Sequence, residues 1–305
     1  MRLGVLDVGS NTVHLQVMDA HVGARPTPTT NHKIDLRLTE YLDRDGRISE
    51  QGVSLLLDAI EESIAHAKNF DTQEILAFAT SALREARNGN QIISNINKSF
   101  DIDLQILSGP EEARLTFLAA RRWLGWSAGR LLVLDIGGGS LEIALGQDES
   151  PTTALSLPLG AGRLTRDFLT GDPYSSKSIS SLEKYVSDTT KNSLADSIRN
   201  HEADKIVGTS KTFRTLARIT NLWYGDSPRT LEINALIGAI PRLGDMTNAQ
   251  RAALPGVSAS RAPQILAGAI VAHQIMEFLS VTELEICPWA LREGLILKWL
   301  DWMEQ

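Results

Sequence analysis

Asp7 and Asp135 each stand near the end of an apolar run of strand length, and each is followed two positions later by glycine. The first segment reads Leu3-Gly4-Val5-Leu6-Asp7-Val8-Gly9-Ser10-Asn11-Thr12. The second reads Leu131-Leu132-Val133-Leu134-Asp135-Ile136-Gly137-Gly138-Gly139-Ser140. Both predict a strand that turns sharply on glycine into another strand, with a carboxylate at the bend. Glycine tolerates positive φ and close approach of the backbone, so successive N–H groups can converge on an anion. A carboxylate beside bound phosphate calls for a cation between them, most simply Mg²⁺. Either hairpin alone could be an ordinary turn. Two of them, opening two similar halves, predict a duplicated fold with phosphate held between the copies.

A second group of chemistry-bearing residues gathers at a helix start. Ser108 is a good N-cap, Glu111 three residues later completes a capping box, and Pro110 suits the first turn. That occupies Glu111 and leaves Glu112, ~100° further round the helix, to face elsewhere. Taken alone, an acidic first turn also answers to the helix dipole. Asp135 and Glu142 bracket the triple-glycine loop; unaided, they also read as a turn Asp and a solvent-facing strand Glu. Ser10, Asn11, Gly137, Gly138, Gly139 and Ser140 are expected to offer backbone or side-chain donors to phosphate oxygens. Arg84 follows a strand end and a Thr-Ser pair, and its forked guanidinium suits phosphate; a helix-surface arginine is the plain alternative. Arg261 is a further candidate for anion binding. Arg214 and Arg218 are four residues apart on one predicted helix, which makes either a basic track or a solvated face. His14 reads as a packed or hydrogen-bonded histidine rather than a catalytic one, with the cleft mouth as its other possible place.

The elements that would position these residues follow from apolar periodicity. Strands are expected at 2–8, 12–19 and between 29 and 38, then a helix over 49–69 through Val53, Leu56, Leu57, Ile60 and Ile64. A strand at 74–79, a helix over 81–98, a strand at 103–107 and another helix complete the first half. The second half repeats that order with insertions. Strands fit 131–136, 141–146 and 152–157, and helices fit 161–169 and 178–199. A short strand at 206–208 leads into a helix through Phe213, Leu216, Ala217 and Ile219. Helices near 231–242, 247–253 and 260–279, a strand at 284–287 and a helix over 289–303 finish the chain. The last helix places Leu291, Leu295 and Trp299 on one side. The joint between halves is expected at 125–129, where Gly and Ser interrupt the pattern.

At 305 residues there is room for two domains of ~150 each, and 43% hydrophobic with 22% charged residues describes a globular chain. A net charge of −7 argues against a nucleic-acid binder, and no apolar run approaches the ~20 residues that span a bilayer. With an acidic balance and a polyanionic ligand, a divalent metal becomes more necessary. Cys287 is the sole cysteine, so no intrachain disulfide can form. The N-terminus enters a strand at once, leaving no room for a signal peptide. A cytoplasmic protein is expected.

Together, the hairpins, the duplicated order and the implied cleft resemble the actin, sugar-kinase and heat-shock-chaperone superfamily. More narrowly, the chain resembles the exopolyphosphatase and guanosine-pentaphosphate phosphohydrolase family. The residues that carry this are Asp7-Val8-Gly9-Ser10-Asn11-Thr12-Val13-His14, Thr80-Ser81-Ala82-Leu83-Arg84, Ser108-Gly109-Pro110-Glu111-Glu112-Ala113-Arg114, Asp135 to Glu142, and Leu291-Arg292-Glu293-Gly294. They run from one end of the chain to the other and as a set are highly specific. The resemblance implies an α/β fold of two ribonuclease-H-like (actin-like) domains, each a mixed five-stranded sheet flanked by helices, with the active-site cleft between them. The expected domains are 1–126 and 127–305, with the last helix, about 289–305, packing back on the first.

The resemblance also implies roles. Glu112 is the expected general base that orients the attacking water and takes its proton. Mg²⁺ (or Mn²⁺) is expected on Asp135 and Glu142, directly or through water, with Asp7 facing them across the cleft; the cation would neutralise charge on the transferred phosphoryl group. Superfamily relatives hold adenosine at 208–212, where similar phosphatases carry a small residue in place of Lys211. A long cation there crowds a nucleobase while attracting phosphate. The departure favours inorganic polyphosphate over a nucleotide. Long family members add C-terminal helical domains with a His-Asp-like core; this chain contains no adjacent His-Asp pair and resembles the short members.

The expected activity is release of orthophosphate from the end of inorganic polyphosphate, with a preference for short chains. Guanosine pentaphosphate is the closest alternative substrate. A phosphotransferase of the sugar-kinase type and a non-catalytic polyphosphate or alarmone sensor are the other classes weighed; the Glu112 motif, Lys211 and the intact carboxylates speak against them. Neither nucleic acid nor membrane is an expected partner, and a homodimer is the default assembly.

Overall fold

The computed structural model describes residues 1–21, 23–225 and 227–303. The first elements are β1 (Arg2–Val8), β2 (Thr12–Asp19), β3 (Thr27–Asp35), α1 (Glu50–Lys68), β4 (Glu74–Ala79), α2 (Ser81–Glu85), α3 (Gly89–Phe100), β5 (Leu104–Ile106) and α4 (Gly109–Leu124). Next come β6 (Leu131–Ile136), β7 (Leu141–Gly146), β8 (Thr153–Leu157), α5 (Ala161–Phe168), α6 (Ser176–Ser193), α7 (Asp196–Arg199), β9 (Lys205–Gly208) and α8 (Lys211–Tyr224). The chain ends with β10 (Thr230–Glu232), α9 (Ile233–Asp245), α10 (Asn248–Ala252), α11 (Ile265–Phe278), β11 (Glu283–Ile286) and α12 (Leu291–Met303). Two units result: Met1–Leu115 with Leu291–Gln305, and Thr116–Ala290. The division falls inside α4, whereas the residue pattern put the joint at 125–129. Residues 304 and 305 of the expected last helix lie outside the described residues.

In the first unit the sheet order is β3-β2-β1-β4-β5, with β1 antiparallel to β2 and parallel to β4. Strand alternation divides its apolar residues between two faces. Leu6 and Val8 join Val13, Leu15 and Val17 against Leu56 and Ile60 of α1 and Ile92 and Ile96 of α3. Leu3, Val5, Met18 and Phe78 pack instead against Ile296 and Leu300 of α12. Asp7, two residues beyond Val5, belongs to this α12 face, and so does His14 directly opposite it.

In the second unit the order is β10-β11-β9-β6-β7-β8. Leu132, Leu134 and Ile136 share a core with Leu141, Ile143 and helical residues from α5, α6, α8 and α11. Helix α11 is buried almost all round, as a helix running through the middle of a core must be. Val133, Asp135, Glu142 and Ala144 point to the other face by the same alternation. No helix among the described residues is long and apolar enough to cross a membrane.

Several elements differ from the periodicity reading. The second sheet has six strands, not five, because Thr230–Glu232 pairs antiparallel with β11; three residues are too few to show a period of two, and the segment read as helix. The helix expected over 81–98 is two helices. The first ends at Ala86, whose backbone is extended, and the second starts after Asn88, whose side chain accepts from Ile48 N–H (2.9 Å) and donates to Ile48 O (2.8 Å). The helix expected over 178–199 breaks at Leu194, which is extended and buried. On α12 the buried side chains are Ile296, Leu297 and Leu300, with Leu291, Leu295 and Trp299 only partly buried.

Candidate functional site

The two glycine hairpins are built alike. Gly9 N–H donates to Thr12 O at 3.0 Å, and Gly137 N–H donates to Ser140 O at 2.9 Å. In each hairpin the Asp lies directly across from the residue seven positions later, Asp7 from His14 and Asp135 from Glu142. Such cross-strand neighbours have Cβ atoms ~4.5–5.5 Å apart.

In the first unit the turn is held from below and behind. Ser10 is buried with its hydroxyl 2.9 Å from that of Ser81, and the Asn11 carbonyl accepts from Leu36 and Arg37 N–H at 2.9 and 3.0 Å. The segment from Thr80 to Arg84 is thereby fastened to the hairpin. Arg84 follows on α2 and donates to Leu107 O at 2.8 Å and to the Glu112 carboxylate. Its expected reach to phosphate is joined by a partner that composition did not suggest. Glu112 is 7% exposed, and the Arg84 guanidinium orients its carboxylate.

The start of α4 matches its sequence signature. Ser108 N–H donates to the Glu111 carboxylate at 2.8 Å, and Glu111 N–H donates to Ser108 Oγ at 3.3 Å. This leaves the neighbouring Glu112 to meet Arg84. Bonds from the Ser108 hydroxyl and N–H hold the Glu111 carboxyl below its ordinary 4.5. Ser108→Ala is expected to destabilise the fold by about 1 kcal/mol, read as a lower denaturation midpoint. Because the folded-state pKa is depressed, the contribution of Glu111 is present above 4.5 and is lost as pH falls below it. The difference between wild type and variant should therefore shrink in acid.

His14 is a hydrogen-bonded histidine: its ring nitrogens face the Arg292 guanidinium, with Nδ1 the nearer. Burial first, then Arg292, Lys33 and His32, lower its pKa to about 3, so the ring is neutral at physiological pH.

In the second unit the triple-glycine loop is clamped by the start of α5. The Gly137 and Gly138 carbonyls accept from Ala161 N–H (3.0 Å) and Arg163 N–H (2.9 Å), and the Gly139 carbonyl accepts from Arg163 Nε (2.9 Å). A Cβ at Gly160 would lie 2.2 Å from the Gly139 carbonyl carbon, so only glycine permits this approach. With the carbonyls engaged, the loop's N–H edge is the one suited to an anion. Arg163 was missed by residue patterning because a first-turn arginine carries no distinctive spacing.

A polar row crosses the rim of this sheet. Asp135 accepts from the Thr209 hydroxyl, and Glu142 (5% exposed) accepts from Ser156 Oγ at 2.8 Å. Glu142 also lies directly opposite Ser156 in the β7–β8 register. Desolvation raises the Asp135 pKa against the opposing effects of the Thr209 hydrogen bond and of Arg214 and Arg261. Thr209 and Ser156 are the two residues of this row that the motifs left without a role. Ser156 falls in the strand expected at 152–157 and Thr209 in the segment 208–212.

Among the described residues no cluster of three or more His, Cys, Asp or Glu is gathered to cage a metal. Asp135 and Glu142 still fit Mg²⁺. The ion commonly takes one or two carboxylates, waters and substrate phosphates rather than an all-protein cage, and a desolvated carboxylate beside a second one is stabilised by a cation. Asp7 belongs to the other unit. Lys211, at the first turn of α8, and Arg261 line the same open depression of about 300 Å³ with Thr212, Thr215 and Gln264.

Comparison with known proteins is consistent from end to end. The model of the Ppx/GppA phosphatase family matches residues 17–303. Exopolyphosphatase 1 of Mycobacterium bovis is 50% identical over 99% of this chain and 89% of its own length. Exopolyphosphatase 2 of Mycobacterium tuberculosis is 26% identical over 97% of this chain and 98% of its own. Among solved structures, an exopolyphosphatase from Cytophaga hutchinsonii superposes with a TM-score of 0.87 at 25% identity, covering 99% of this chain and 98% of that one. The Aquifex aeolicus family member shares the fold, with a TM-score of 0.82 at 22% identity over 100% of this chain and 99% of that one.

Proposed function

Because the chain belongs to the Ppx/GppA phosphatase family of hydrolases, we propose that it is an exopolyphosphatase, removing orthophosphate from the end of inorganic polyphosphate. The observation that carries this is the 50% identity to an exopolyphosphatase over 99% of the chain. Both hairpins and Glu112 fit the same chemistry.

On this reading each hairpin offers donors to phosphate oxygens. The N–H edge of Gly138 to Ser140 holds phosphate oxygens, the Gly137 N–H expected to join it being spent on Ser140 O within the turn, and Ser10 and Asn11 supply the corresponding turn in the first unit. Lys211 and Arg261 attract the following phosphates of the chain. Glu112, oriented by Arg84, takes a proton from water as its oxygen bonds to phosphorus. The bridging P–O bond breaks, and the chain leaves one phosphate shorter. Asp135 and Glu142 would hold Mg²⁺ or Mn²⁺, which when bound neutralises charge on the phosphoryl group.

Phosphate release from short polyphosphate, long polyphosphate, guanosine pentaphosphate and ATP, at millimolar Mg²⁺, tests the reading. Short polyphosphate should be consumed fastest. If neither polyphosphate yields orthophosphate the reading fails, and faster turnover of guanosine pentaphosphate would replace it with the alarmone phosphohydrolase.

A further inference from the structure

Two motif residues have no part in that chemistry, His14 in the first hairpin and Arg292 at the start of α12. They are 278 positions apart in sequence, and the structure bonds them to one another. From that geometry we infer that Arg292 is a phosphate-binding residue of the first unit, held in place by His14. The inference rests on the polyphosphatase reading and deepens it.

Charge is the first argument. Arg84 is matched by the Glu112 carboxylate, so that pair carries no net charge to attract an anion. Arg292 donates to a ring nitrogen instead. Arginine has no acceptor, so the imidazole must accept, and a ring nitrogen that accepts carries no proton. The bond therefore fixes the guanidinium without cancelling its charge. The remaining donors of a guanidinium are suited to phosphate oxygens.

Placement is the second. His14 lies across from Asp7 and two residues beyond Thr12, which closes the Gly9 turn. The first turn of α12 is also seated against α4: a Cβ at Gly294 would be 1.9 Å from Leu115 O, so only glycine allows this contact. Leu115 is three residues, about one turn, past Glu112. Arg292 thus leaves a helix that is braced beside both the hairpin and the catalytic carboxylate.

Arg292→Gln should raise the KM for short polyphosphate about ten- to a hundredfold, the value of one charge-assisted hydrogen bond, while kcat changes less. The salt dependence of KM should weaken as well. Arg292→Lys should recover part of the loss. His14→Phe should raise KM, and His14→Asn, which restores an acceptor near the Nδ1 position, should reverse it. A brace without ligand contact would instead lower the melting temperature and leave KM and its salt dependence unchanged, and that outcome overturns the inference. Calorimetric binding of tripolyphosphate to wild type and Arg292→Gln reads the contact without turnover. Weaker binding by the variant supports the role of Arg292 even if the wild type hydrolyses nothing. Equal binding removes it, and no binding by the wild type removes both readings.

Discussion

Glu112→Gln is expected to lower kcat for polyphosphate by about 10²–10⁴-fold, the usual contribution of a positioned general base. The amide keeps the size of the carboxylate and can still accept from Arg84, so the loss should fall on kcat with KM little changed. Glu112 is buried and paired, and removing the charge of one partner of such a pair carries a stability cost. A circular-dichroism melt therefore belongs beside the assay, with activity measured well below the variant's midpoint. Full activity in a folded variant would take the base role away from Glu112. Glu111→Gln is the contrast: it sits in the capping box with Ser108, so it should move the melting temperature and leave kcat near wild type.

Asp135→Asn is the second large effect. If Asp135 helps hold the metal, several kcal/mol of charge stabilisation is at stake. At 1.36 kcal/mol per tenfold this is about a hundredfold or more in rate, with a raised Mg²⁺ requirement. Stability should move the other way. Burial disfavours the charged form of Asp135, and an amide can still accept from Thr209, so the metal-free variant should melt no lower than metal-free wild type. Added Mg²⁺ should raise the wild-type melting temperature, since a ligand of the native state stabilises it by mass action. The same addition should not shift the variant. Equal Mg²⁺ shifts in both proteins would take Asp135 out of the metal site.

Both experiments depend on residues whose local surroundings were legible from the chain. The Asp-x-Gly turns announce themselves because alternation, glycine and a carboxylate all fall within ten residues. The capping box is just as local, since Ser108 and Glu111 satisfy one another across a single helical turn. Membership of a duplicated α/β fold was legible too, because strand and helix periods repeat in both halves.

Other features needed the folded molecule. The partner of Arg84 lies 28 positions away, that of His14 278 away, and that of Asp135 74 away. Asn88 is fixed at the start of α3 by bonding Ile48, and Thr230–Glu232 becomes a strand by pairing with β11. The chain's local chemistry thus determined the turns, the cap and the candidate carboxylates. Tertiary structure decided which partner each carboxylate meets, a guanidinium for Glu112 and hydroxyls for Asp135 and Glu142, and that Arg292 meets the His14 imidazole rather than a carboxylate. The physical reason is range: periodicity and capping act within a turn or two, whereas hydrogen bonds between distant segments exist only once packing has brought them together.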